Sequence, residues 1–204
     1  MKKILLIGDS ISLYYSPYLS NYMMNTAEIH TKEGRREAFA DLDRPVGGNG
    51  GDSSMVLSYL KERDTENNLS YDLFVFNCGL HDIKRINDGE CVISPIEYRK
   101  NLLEILKITE KRGLKTAFIT TTHLEDERHN ANKRLGFTRY NKDVEILNEI
   151  ALSVMTEEGI PVIDLGGFTK TLTGEIFVDH VHFGEEVRKL HAAFVAGRLE
   201  GLLK

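Results

Sequence analysis

Four short, continuous apolar runs restrict what this 204-residue chain can fold into: Ile4–Ile7, Leu73–Phe76, Ala117–Ile119 and Pro161–Ile163. A strand with one wet face alternates apolar and polar residues, and these runs do not. They suit strands buried on both faces, the signature of a parallel sheet. Parallel strands need long crossovers, usually helical, and the intervening segments carry helix signals. A helix is expected from Ser12. Ser54–Arg63 follows Asp52 or Ser53 as a cap. Pro95–Arg112 opens on a proline at the tolerated first turn and has Gly113 just past its end. Tyr140–Glu158 ends before Gly159, and its Val144, Leu147, Ile150, Ala151 and Val154 make one stripe at helical spacing. Glu185–Leu203 forms the last helix, and Ala27–His30 gives a weak strand signal. Strand–helix alternation predicts an α/β fold, a three-layer α/β/α sandwich on a mostly parallel sheet of about five strands.

Composition narrows the classes. The length fits a single domain over residues 1–204, enough to bury roughly 70% of the unfolded surface. An apolar share of 41% and a charged share of 28% fit a globular protein and argue against disorder. The net charge of −5 provides no basic footprint for nucleic acid. No apolar run approaches the ~18 residues a membrane span needs, so no membrane insertion is expected. No signal-peptide pattern opens the sequence, so the expected location is cytoplasmic unless a leader has been removed. Cys78 and Cys91 are too few for a disulfide framework or zinc site and are expected as free thiols.

In open parallel sheets, ligands bind beyond the carboxyl ends of the strands. The residues to inspect are therefore Gly8-Asp9-Ser10, Asn77–Asp82, Thr120–His123 and Asp164–Gly167. Ser10 has two readings. It is a helix N-cap, or it is a nucleophile, which requires an adjacent base and an acid to orient that base. Residues 177–186, FVDHVHFGEE, offer both, since a short loop can join the Asp179 carboxylate to His182. His180, two positions from His182, leaves a metal-chelating reading open, with His123 and His129 as further ligands. His81, just beyond Leu73–Phe76, reads as a second base, an oxyanion donor or a surface residue, and Asp82 as the cap of a turn. The glycine-rich stretch 46–54, VGGNGGDSS, lacks a Walker lysine and the dinucleotide spacing. Its N–H groups suit an anion or an oxyanion. No G-x-S-x-G elbow occurs.

Gly8-Asp9-Ser10, Gly51 in GGDSS, Gly79-Leu80-His81-Asp82 and Asp179-His180-Val181-His182 occur in one order, each near an expected strand end. In this the chain resembles the SGNH (GDSL-type) hydrolase superfamily over nearly its whole length. The resemblance implies a flavodoxin-like sheet, with Ser10 as nucleophile, His182 as base and Asp179 as its orienting acid. It implies an oxyanion hole of Ser10, Gly51 and His81, with Asp9, Asp82 and His180 as supporting residues. His81 stands where the family has asparagine. A histidine keeps the donor role only in the right tautomer. No cofactor or metal is implied. The expected activity is cleavage of short-chain carboxylic esters, such as O-acetyl groups on sugars or similar polar alcohols. The polar stretch 124–138 reads as a substrate loop or as plain solvated chain. An acyltransferase, a lysophospholipase or a thioesterase shares the same residues. From another class, a non-catalytic flavodoxin-like protein binding an anion or a metal remains the alternative. Oligomeric state is not readable.

Overall fold

In the computed structural model, which describes residues 1–204, all four apolar runs enter one five-stranded sheet. Its strands are β1 (Lys2–Ile7), β2 (Ala27–Thr31), β3 (Leu73–Phe76), β4 (Lys115–Ile119) and β5 (Val162–Ile163). They lie in the order β2-β1-β3-β4-β5, and every neighbouring pair is parallel. The continuous runs have the expected cause: all four residues of β3 and the last four of β1 are buried. Ring stacking of Phe74 on Phe76, and an edge contact from Phe118, fill the middle of one face. Each such side chain contributes roughly 1.5–3 kcal/mol by leaving water.

Eight helices cover the sheet: α1 (Ser10–Tyr22), α2 (Arg35–Ala38), α3 (Ser53–Thr65), α4 (Pro95–Lys111), α5 (Asp126–Ala131), α6 (Asn141–Glu157), α7 (Leu165–Lys170) and α8 (Glu185–Leu202). The first, α1, packs on α8, while α3, α4 and α6 pack in a row, giving one helical layer on each side. The chain leaves β1 toward β2 at one edge, then returns across β1 to build β3, β4 and β5. That reversal opens a crevice at the carboxyl ends of β1 and β3, where such sheets bind ligands.

Two expectations need adjustment. The first helix begins at Ser10 rather than Ser12, because Asp9 takes the N-cap position and its Oδ1 accepts the Ile11 N–H at 2.9 Å. The cap reading of Ser10 therefore fails: the cap is its neighbour, and Ser10 is the first helical residue. The last strand is only Val162–Ile163, since Pro161 has no N–H to give the ladder. The weak Ala27–His30 signal is a real edge strand extending to Thr31, with only Ala27 buried. Glu28 is exposed and Ile29, His30 and Thr31 are only half-buried, which explains the faint apolar pattern.

Candidate active site

Four chain segments converge at the crevice. The Ser10 turn leaves β1 through Gly8, and the glycine-rich segment crosses it so closely that the Gly50 N–H donates to the Gly8 carbonyl at 2.8 Å. A Cβ on Gly50 would sit 2.8 Å from that carbonyl oxygen, so no side chain fits. From β3, Asp82 reaches back, and both of its carboxylate oxygens accept from the Ser53 N–H, at 2.9 and 3.1 Å. Asp82 thus does not cap its own turn. It latches the third segment to the start of α3, whose N-cap Asp52 accepts the Met55 N–H at 3.0 Å. Burial drives the Asp82 carboxyl up to about 8, against the hydrogen bonds from Ser53 that favour its ionised form.

The fourth segment carries the titratable pair. Residues 176–184 fold back on themselves through Val178 N–H to the His182 carbonyl at 2.9 Å and Gly184 N–H to the Ile176 carbonyl at 2.9 Å. Inside this loop Asp179 Oδ1 accepts the N–H groups of Val181 and His182, at 2.8 and 2.7 Å. Its other oxygen, Oδ2, lies 2.7 Å from His182 Nδ1, and His182 Nε2 lies 2.9 Å from Ser10 Oγ. Ser10 and His182 are both buried. Burial alone would push the Asp179 carboxyl up; the hydrogen bonds from His182 and Val181 outweigh it and hold the group well below its ordinary range. A carboxylate fixed at Nδ1 leaves Nε2 as the nitrogen that meets the serine hydroxyl.

The remaining expected residues divide. His81 is buried, its Nδ1 has no hydrogen-bond partner, and burial together with Arg139, Lys84 and His182 nearby keeps it far below the usual imidazole range. It is therefore a neutral ring with one N–H to give. Gly51 takes the left-handed conformation at φ +72, and its N–H is already donated to Asn49 Oδ1 at 3.0 Å, a side-chain turn two residues long. His180 does not face His182: its Nδ1 meets His129 Nδ1 at 2.7 Å. Burial lowers both of these imidazoles, His129 to about 3, so one neutral ring donates to the other. Asp9 is buried, and burial raises its carboxyl despite the Ile11 N–H and the Arg139 and His182 charges.

Several contributors escape sequence reading. The Tyr14 ring meets His182 edge-on at 5.3 Å, and the Arg188 guanidinium covers Tyr14 at 3.6 Å. Tyr14 is one helical turn beyond Ser10, so its spacing was a usable signal. The polar stretch 124–138 supports the Asp179–His182 loop. Arg128 donates to the carbonyls of Asp179 and Val178 at 3.0 and 3.2 Å, and the Glu125 N–H donates to the His180 carbonyl at 3.0 Å. Nothing in the spacing of Arg128 marks it, because its acceptors are main-chain atoms some 50 positions away.

The architecture is that of the SGNH (GDSL-type) lipases, acylhydrolases and esterases. A lipase/acylhydrolase from Enterococcus faecalis superposes with a TM-score of 0.73 at 19% identity, covering 100% of this chain and 98% of that one. A GDSL-like lipase from Bacteroides thetaiotaomicron gives 0.70 at 17% identity over 98% of this chain and 89% of the other. Est24, a carbohydrate acetylesterase from Sinorhizobium meliloti, gives 0.70 at 13% identity over 99% and 100%. At these identities the likeness concerns the fold. No protein-family model matches the chain, and no curated protein sequence does.

Proposed function

We propose that the protein is a serine esterase that cleaves carboxylic esters of short acyl chains, such as O-acetyl groups on sugars or similar polar alcohols. One observation carries the reading: the unbroken relay from Ser10 Oγ to His182 Nε2 at 2.9 Å and from His182 Nδ1 to Asp179 Oδ2 at 2.7 Å. In the reaction, Ser10 Oγ attacks the ester carbonyl carbon while its proton passes to His182 Nε2. Asp179 stabilises the imidazolium without taking the proton. The carbonyl oxygen becomes an oxyanion, received by the Ser10 N–H, which as a first-turn helical N–H has no partner within its own helix, and by the His81 ring. The Gly51 N–H joins them by exchanging its bond to Asn49. His182 then protonates the leaving alcohol, and a water, deprotonated by the same imidazole, releases the acyl group as a carboxylic acid.

A short acyl chain fits where the space lies. Two sizeable cavities, about 510 and 340 Å³, are lined by residues around Cys91 and Ile146 and around Leu106 and Ile160, not by Ser10 or His182. The Sinorhizobium neighbour is a carbohydrate acetylesterase, which agrees with that reading.

The test is a nitrophenyl ester series from acetate to decanoate. Turnover is expected to be greatest for acetate and to vanish in Ser10→Ala and His182→Ala; wild-type turnover in Ser10→Ala overturns the mechanism. Product analysis with an added alcohol separates hydrolysis from acyl transfer.

A further inference from the structure

Beside the triad lies a second group of charges that the proposed chemistry does not use. Arg139 is 2% exposed, its Nε has no partner, and its Nη1 reaches one acceptor, Asp43 Oδ1, at a long 3.4 Å. Lys84 is half-buried and donates its Nζ to the Asp43 main-chain carbonyl. Both cations sit against one ring, with Lys84 Nζ 4.6 Å and the Arg139 guanidinium 4.8 Å from the centre of Phe137. A desolvated charge is costly unless paired and hydrogen-bonded, and these two share one loosely held aspartate. The other acid whose charge reaches Arg139 is Asp9, whose Oδ1 caps α1 and whose Oδ2 makes no hydrogen bond, to Arg139 or to any other group.

This group adjoins the reacting centre. The Phe137 ring meets His129 at 5.5 Å, and His129 bonds to His180, two positions before His182; the Arg139 charge also acts on Asp9, the neighbour of Ser10, and on His81. Asp43 belongs to residues 41–46, which form neither helix nor strand. Its hold consists of the two cations, an Asp41 side-chain turn, and the Asn49 amide on the Leu42 carbonyl at 3.3 Å. Its carboxylate is 27% exposed. The segment therefore brings a carboxylate, on a lightly held loop, onto one buried and one half-buried cation.

We propose that Arg139 and Lys84, braced on Phe137, form a subsite for a carboxylate carried by the ester substrate, and that Asp43 occupies it until the substrate displaces it. The inference rests on the serine-esterase reading and adds the substrate's charge. In a protein of net charge −5, two cations beside the nucleophile focus the local field toward anions and oppose the repulsion of the rest of the surface. Phe137 spaces the two cations, so that a carboxylate can bridge Nη1 of one and Nζ of the other, as Asp43 does with its side chain and its carbonyl.

The experiment compares kcat/KM for 4-acetoxybenzoate and its neutral methyl ester, and for the 4-nitrophenyl monoesters of glutaric acid and of pentanoic acid. The first pair places the carboxylate on the alcohol side and the second on the acyl side. Wild-type protein is expected to prefer the acid in one pair by about tenfold, the size of one charge-assisted contact. Asp43→Asn is expected to raise that preference, and Lys84→Met to abolish it through KM rather than kcat. Free benzoate is expected to inhibit cleavage of the neutral ester in Asp43→Asn more strongly than in wild type, and not in Lys84→Met. Lys84 is chosen because replacing the buried Arg139 risks the fold. Equal kcat/KM for acid and neutral ester in both pairs overturns the subsite, as does a preference that neither substitution moves. Failure of the esterase reading looks different: Ser10→Ala would then keep its turnover of the neutral esters.

Discussion

The Ser10 turn and the Asp179–His182 loop meet at one hydrogen bond yet are built in opposite ways. Ser10 is held by its neighbours in sequence: a buried strand before it, Asp9 capping the helix it begins, and Gly50 against the turn. His182 sits in a loop with no strand or helix of its own. Asp179 supplies internal order by accepting two N–H groups, and the rest comes from distant residues: Arg128 on two carbonyls, Glu125 on a third, and Tyr14 against the ring. The lesson is that a nucleophile can be placed by secondary structure, whereas its base must be placed by tertiary contacts. The second kind of support is easier to loosen without unfolding the protein.

The largest break in this comparison comes at the shared bond. Ser10→Ala is expected to lower kcat by about 10⁶-fold, and Asp179→Asn by about 10⁴-fold, since the latter leaves a base in the wrong tautomer. Far-ultraviolet circular dichroism unchanged in both would place the loss in chemistry. Next is His81→Leu, expected to cost about 10²–10³-fold in kcat with little change in KM, the cost of one oxyanion donor. His81→Asn is expected to restore most of that rate, because an amide also donates; equal rates for Leu and wild type would remove His81 from the hole. Arg128→Met tests the tertiary support directly. It is expected to lower kcat by about ten- to a hundredfold through a displaced base, while Tm barely moves, because exposed ion pairs contribute about 0–1 kcal/mol. A large fall in Tm with normal kcat would reverse the comparison.

The last prediction concerns the stability of the latch between segments rather than turnover. The folded-state pKa of Asp82 is raised by burial to about 8, so between its ordinary range and pH 8 the folded protein holds a proton that the unfolded chain has lost. That contribution to stability is present at low pH and falls as pH rises toward 8, by up to about 1.4 kcal/mol per pH unit. Chemical denaturation from pH 5 to 8 should show this slope in the wild type and a flatter one in Asp82→Asn.

Much of this was legible because it is local. Uninterrupted apolar runs specify strands buried on both faces, and proline and glycine at their ends bound the helices. Ser10, Asp179 and His182 could be singled out because each lies just past a strand or just before a helix. The readings that shifted depend on geometry finer than spacing. Asp9 rather than Ser10 caps α1, Asp82 reaches a backbone N–H 29 positions away, and the Gly51 N–H turns to Asn49. Asp43 and Arg139 left no trace in the pattern. They are 96 positions apart, in segments without periodicity, and only the folded chain brings them together.

Ser10 and His182 are separated by 172 positions, and the helices that follow them, α1 and α8, lie side by side. A pairing of such long range closes slowly, since the entropy of a large loop must be offset before its contacts help. While a ribosome is still extending the chain, the serine is present without its base. If Ser10 is the nucleophile proposed above, the nascent protein carries it dormant, and recovery of turnover during refolding should trail the recovery of helix signal.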